Sequence, residues 1–288
     1  MEHPSKIIIG CMTWGAWGKQ LTIQQQSEMI EFCVAQGNTT FDHADIYGDY
    51  TSEAHFGEAF AKSSVQREAI QLISKCGIQL EGGVRNNRLK HYNYSKEYII
   101  CSAEESLRKL KTDYLDTFLL HRPSPLMEPD EIAEAISKLQ AEGKIKAFGV
   151  SNFTPSQVNL IATKTPISVN QIEFSLTQHT AMENGTLDQM LQHNIQPLAW
   201  SPLGFIFRES NDKTTQIKIL LGDLSAKYNT TEDVILLSWI LKHPAKISPV
   251  IGTTNKQRIL NANTALSVNL ELEEWFQLLE LSKGKPVA

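Results

Sequence analysis

Cysteine is scarce in this 288-residue chain, and long apolar runs, basic excess and a glycine-rich phosphate loop are missing. The four cysteines, Cys11, Cys33, Cys76 and Cys101, lack metal-ligand spacing. They read as reduced thiols of a cytosolic protein, not as a disulfide framework or zinc site. No stretch reaches the roughly 18 apolar residues of a membrane span. The N-terminal Met1–Lys6 leads into the short apolar run Ile7–Ile9, too brief for the core of a secretion signal. A net charge of −5 gives no global attraction to nucleic acid or to an anionic membrane. The expectation is a cytoplasmic protein with neither as a partner. Asn-x-Thr sequons at Asn38, Asn152, Asn184 and Asn229 are accordingly read as chance matches. No Gly-x-Gly-x-x-Gly occurs, which argues against a Rossmann domain.

What is present is a large apolar fraction, 41%, with 20% charged residues, enough for a sizeable core. Short apolar runs alternate with helical patterns along the whole chain. Thr22 caps a helix carrying Met29, Ile30 and Cys33 that stops at Gly37. Ser95 caps another with Ile99, Ala103, Leu107 and Leu110 at helical spacing. Thr154-Pro155-Ser156-Gln157 reads as a capping box with proline at the first helical position. Eight strand candidates, each followed by a helix, favour a closed parallel barrel over an open sheet. The expectation is an α/β fold, a single (β/α)₈ TIM barrel domain spanning residues 1–288. Two segments stand outside the alternation, Glu81–Tyr94 and Leu203–Gln216. Both leave the carboxyl ends of strands and read equally as lids or as surface loops.

Four polar residues, Asp42, Tyr47, Lys75 and His121, stand at or just after the ends of three strand-like runs. A (β/α)₈ barrel delivers its catalytic groups from several strand ends onto one face. A lysine beside a phenol stabilises phenolate, and an aspartate keeps that lysine charged. The set points to proton donation and thus to carbonyl chemistry. Taken singly, each residue also has a structural reading, as a hydrogen-bonded strand end, a loop lysine or a half-buried phenol.

The motif Phe41-Asp42-His43-Ala44-Asp45-Ile46-Tyr47-Gly48, with Lys75 and His121 downstream, resembles the signature of the aldo-keto reductases. Four further segments occur in that family's order: Gly149–Phe153, Asn170–Glu173, Trp200–Gly204 and Gly252–Ile259. The stretch Leu119–Pro125 is most similar to the bacterial oxidoreductase branch. The resemblance implies hydride exchange between NADPH and a small-molecule carbonyl substrate, without metal or flavin. By position it implies Tyr47 as general acid, tuned by Lys75 and Asp42, with His121 on the same oxygen. Ser151, Asn152 and Gln171 would hold the nicotinamide carboxamide, and Trp200 would stack on its ring. Thr13, Ser201 and Leu203 are further cofactor-binding candidates, the last two at the pyrophosphate. Thr253, Thr254 and Arg258 would meet the adenosine end, and Trp14 would line the substrate pocket.

Two departures stand out. Gly252 occupies a place where many family members carry a lysine on the adenosine-ribose phosphate, so NADP is expected to be preferred with NADH still possible. Phe205-Ile206-Phe207 replaces residues that are often glycine in related bacterial sequences. Other readings stay open on the residues alone. His43, Asp45, His121 and Asp42 could nominally serve a metal-dependent hydrolase, although Lys75 would repel the cation. A non-catalytic nicotinamide-sensing subunit is the other. Asp45 is expected as a structural partner, and a monomer is the expectation for oligomeric state.

Overall fold

Strands that read as continuous apolar runs need cover on both faces, and a closed ring jacketed by helices provides it. The computed structural model describes residues 4–288; Met1–His3, the start of the N-terminal segment considered above, lie outside them. Ten strands are formed among the described residues, in chain order: β1 (Ile8–Gly10), β2 (Thr40–Asp42), β3 (Gln71–Cys76), β4 (Ile78–Gln79), β5 (His91–Tyr92), β6 (Leu115–Leu120), β7 (Ile145–Ser151), β8 (Val169–Glu173), β9 (Gln196–Trp200) and β10 (Ser248–Ile251). Eight close into a parallel barrel in the order β1-β10-β9-β8-β7-β6-β3-β2, while β4 and β5 form a separate antiparallel hairpin. The expected TIM barrel is therefore present.

The helices are α1 (Ile23–Ala35), α2 (Ser52–Lys62), α3 (Lys96–Leu110), α4 (Pro129–Ala141), α5 (Pro155–Ala162), α6 (Thr186–His193), α7 (Asp212–Lys227), α8 (Glu232–Leu241), α9 (Lys256–Thr264) and α10 (Leu272–Lys283). Thr22 and Thr154 each complete a capping box, and Ser95 accepts from the Tyr98 backbone N–H. None of these helices is long and apolar enough to cross a membrane, among the described residues. Helix α7 was not anticipated, because the polar segment 203–216 masks its start. Its buried Ile217, Leu221 and Leu224 nonetheless follow the helical period. Asn211 caps it through its side chain. The final helix is held by two reciprocal bonds: Trp239 Nε1 donates to the Trp275 carbonyl at 3.1 Å, and Trp275 Nε1 to the Trp239 carbonyl at 2.9 Å. Their rings stack 4.9 Å apart.

The apolar interior divides in two. Ile8, Ile73, Leu119, Val169, Leu198 and Val250, one from each of six strands, form an isolated cluster that fills the barrel. The remaining core lies between barrel and helices, with Phe41, Phe118 and Phe148 pointing outward from their strands. At the amino end of the barrel, Arg67 ties β3 to β6 by donating to the Ile70 and Tyr114 carbonyls and pairing with Asp116 at 2.7 Å.

Of the two inserted segments, 203–216 runs through turns into the first residues of α7. Residues 81–94 extend the β4–β5 hairpin, closed by Arg85, which donates to Gln79 and to the Tyr98 hydroxyl. Between this hairpin and α3 lies a cavity of about 290 Å³ lined in part by Tyr50, Arg85, Tyr98 and Cys101. Cys101 is exposed there, whereas Cys11, Cys33 and Cys76 are buried.

Helices α2 and α3 meet at Gly57, where an added Cβ would fall 2.1 Å from the Lys109 carbonyl oxygen. Gly57→Ala gains helix propensity but must part the two helices. We expect a net loss of about 1–3 kcal/mol, the usual range for overpacking, read from urea unfolding. A variant as stable as the parent would show that the contact yields freely.

Candidate active site

Side chains alternate across a strand, so the residue two places after an interior apolar residue also points inward, one layer nearer the carboxyl end. Applied to the interior cluster, this step leads from Ile73 to Lys75, from Leu119 to His121, from Val169 to Gln171 and from Leu198 to Trp200. From Ile8 and Val250 it leads to Gly10, where an added Cβ would fall 3.2 Å from Val250 Cγ1, and to Gly252, which faces open space. The polar layer is thus the direct continuation of the core. Lys75 lies within β3 rather than beyond its end, because β3 continues to Cys76.

Lys75 is the hub. Its fully buried ammonium donates to Asp42 Oδ1 and Oδ2 at 2.7 and 2.8 Å, and to the His43 carbonyl at 2.7 Å. It lies 3.4 Å from the Tyr47 hydroxyl. Gln171 Nε2 adds a bond to Asp42 Oδ1 at 3.1 Å. The Tyr47 and His121 rings meet edge to face at 6.0 Å, each with about a tenth of its surface exposed. The structure therefore brings Asp42, Tyr47, Lys75 and His121 together.

Burial pulls the Lys75 ammonium down, yet Asp42 and Tyr47 together carry it above its ordinary value. Burial raises the Asp42 carboxyl against the opposing charge of Lys75. For Tyr47, burial raises the phenol and Lys75 lowers it, and burial prevails. The expected lowering is thus a contribution and not the net result, and the phenol holds its proton beyond the ordinary range. Burial, then the charges of Lys75, Arg122 and Lys90, push His121 well down, so the ring is neutral. Its Nδ1 is buried without a hydrogen-bond partner among the described residues.

A second network lies on the β7–β9 side. Trp200 Nε1 donates to Asn152 Oδ1 at 2.9 Å, Asn152 Nδ2 to Ser151 Oγ at 2.7 Å, and Ser151 Oγ to the Gln171 carbonyl at 3.1 Å. Ser151, Asn152, Gln171 and Trp200 are thus contiguous with the Lys75 hub through Asp42. The other candidates form a looser group. Thr13 donates its hydroxyl to the Gly252 carbonyl at 2.9 Å, which draws the β1 loop to the end of β10. Thr253 accepts from the Asn255 N–H, and Asn255 caps α9 by accepting from the Arg258 N–H. Arg258 is exposed, and Thr254, Ser201 and Leu203 are half-buried. The bulky run after Gly204 is accommodated by sinking Ile206 fully into the core.

Trp14, expected at the substrate pocket, lies elsewhere: it is 1% exposed and packs against Phe41 and Phe56. The aromatic facing the mouth is Trp17, 42% exposed and 6.2 Å from the Tyr47 ring. Both sit in one loop, and loop conformation decides which turns inward. Arg122 was also missed; its guanidinium lies 5.4 Å from the Trp200 ring. Its place directly after His121 was the available signal. The hydrolase ligand set does not converge. His43 packs on Phe56, Lys75 takes both Asp42 oxygens, and Asp45 accepts from Tyr98 and Ser102. Asp45 is thus the structural partner expected of it.

Lys75→Met strips Asp42 of its ammonium while leaving the burial. Its carboxyl then rises further above the unfolded value, so the folded state keeps a proton that the unfolded chain has released. Stability must fall as pH rises through that interval. We expect the variant to lose about 3–5 kcal/mol relative to the parent at the alkaline end of that interval, and clearly less at the acidic end. Urea unfolding at both pH values checks this; an equal loss at both would mean that Asp42 does not retain a proton.

A sequence profile of the Aldo/keto reductase family matches residues 6–283. YcsN of Bacillus subtilis, an oxidoreductase, is 40% identical over 286 residues, covering 97% of this chain and 95% of its own. The 6-dehydroglucose reductase of Agrobacterium fabrum is 40% identical over 264 residues, covering 90% of this chain and 88% of its own. A solved aldo/keto reductase from Klebsiella pneumoniae, in complex with NADP and acetate, superposes with a TM-score of 0.78 at 25% identity, covering 96% of this chain and 91% of that one. With the parallel barrel and its strand-end lysine hub, these matches place the chain in the aldo/keto reductase family of oxidoreductases.

Proposed function

We propose that this protein reduces an aldehyde or ketone to an alcohol with NADPH as reductant and Tyr47 as proton donor. The observation that carries the reading is the buried Lys75 ammonium shared between Asp42 and the Tyr47 hydroxyl. The family uses NADPH, and the Klebsiella relative was solved with NADP. The residues present fit that cofactor. Ser151, Asn152 and Gln171 offer hydroxyl and amide groups to a carboxamide, and Trp200 is half-exposed beside them. Thr253, Thr254 and the first turn of α9 with Arg258 offer N–H groups and a cation to a phosphate.

When bound, the cofactor supplies hydride to the carbonyl carbon. Tyr47 transfers its phenolic proton to the carbonyl oxygen, and the Lys75 ammonium stabilises the phenolate left behind. Asp42 keeps Lys75 charged and in place. Neutral His121 orients the same oxygen and adds no competing charge. Because Tyr47 is raised and His121 lowered, neither changes protonation near neutral pH.

Tyr47→Phe keeps the ring and removes the proton. Turnover should drop at least about 10²-fold, with NADPH affinity, followed by fluorescence titration, little altered. The parent's reduction rate should be flat across neutral pH and decline only where the raised phenol titrates. Near-parental turnover in the variant would remove Tyr47 from this role. A panel of carbonyls that is wholly inert while NADPH binds would favour the sensing-subunit reading.

Arg258→Ala tests the cofactor's phosphate end. Loss of one charge-assisted contact should weaken NADPH about 10- to 150-fold and leave NADH nearly unchanged. Equal weakening of both would assign Arg258 to the adenine or to the loop.

A further inference from the structure

Arg122 follows His121 directly, and its main chain is clamped. The Tyr94 hydroxyl donates to the Arg122 carbonyl at 2.5 Å and accepts from its N–H at 3.1 Å. Tyr94 is itself fixed: its ring lies against Gly77, whose φ of +113 suits glycine and where an added Cβ would fall 2.0 Å from the ring. The inserted hairpin therefore sets the position of Arg122 beside the catalytic candidates.

The guanidinium at the end of this brace is half-buried against Trp200 and has no ion pair or hydrogen bond among the described residues. Arg67, Arg85 and Arg108 are engaged, with Asp116, with Gln79 and Tyr98, and with Glu105. Arg88, Arg208 and Arg258 have no side-chain partner among the described residues but are exposed, so Arg122 is the one such arginine there that is half-buried. Lys90, near the end of the hairpin insertion, is exposed and likewise without a partner among those residues. Both cations bear on His121. The carboxylate within the site, Asp42, is already taken by Lys75 on both oxygens. A planar guanidinium, partly out of water and without an anion, is well matched to a carboxylate or phosphate, which it can hold by two parallel bonds.

We propose that the mouth of the barrel selects carbonyl compounds that carry a carboxylate or similar anionic group, held by Arg122 with Lys90 reinforcing it from the hairpin. The proposal rests on the reductase reading and names the substrate class of that site.

The test compares para-carboxybenzaldehyde with its methyl ester, a pair similar in size in which ring electronics alone favour the more electron-withdrawing ester, and succinic semialdehyde with butanal. The parent should favour the acid over the ester in kcat/KM by about tenfold or more, a preference that shrinks as salt is raised. Arg122→Gln should lower that ratio at least about tenfold. Arg122→Lys should retain part of it, and Lys90→Gln should lower it by a smaller factor. A parental ratio near one, or acid and ester losing rate equally in Arg122→Gln, would overturn the proposal. So would a loss of NADPH affinity in Arg122→Gln with the ratio intact, which would give the guanidinium to the cofactor. If none of the four compounds is reduced although NADPH binds, the inference fails; the reductase reading fails with it only where the wider carbonyl panel is inert as well.

Discussion

A lysine ammonium withdrawn wholly from water costs several kcal/mol unless other groups replace its hydration, and the upper end of this barrel is arranged around that requirement. Lys75 spends its donors on Asp42, the His43 carbonyl and the direction of the Tyr47 hydroxyl. Those partners all come from β2 and the turn that follows it, so the pairing of β2 with β3 is also what assembles the polar cluster. Asp42 in turn reaches Gln171 on β8, across the barrel. The site is consequently a property of barrel closure and not of any one loop.

The alternation of apolar runs and helical periods made the barrel legible, because strands buried on both faces leave a plain trace of Ile, Leu, Val and Phe. The polar group at the strand ends was legible for a related reason. Lys75, His121, Gln171 and Trp200 each stand two residues beyond an interior apolar residue, a spacing that belongs to the strand itself. Helix α7 was hidden by the polar stretch before it, although its own stripe was in place.

Loop-borne features were harder. Trp14 and Trp17 have the same chemistry and lie three residues apart, and only the turn between them decides that one is core and the other faces Tyr47. The net direction of Tyr47 titration was likewise beyond reach, since it depends on how completely the phenol is buried against how near Lys75 comes. The role of residues 81–94 could not be read as lid or surface loop, because the hairpin bonds, Arg85 and the Tyr94 brace are all long-range or conformational.

The thiols have a practical bearing. Burial pushes Cys33 up to about 12 and Cys11 and Cys76 well above the ordinary value, leaving none of them as thiolate near neutral pH. Cys101 is exposed on α3, at the edge of the cavity it shares with Arg85 and Tyr98 of the hairpin contact. A maleimide-linked fluorophore would therefore attach at one place, outside the barrel and against the hairpin. The molecule carries its own attachment point for an optical reporter of hairpin position, with no engineered cysteine and no change to the residues at the mouth.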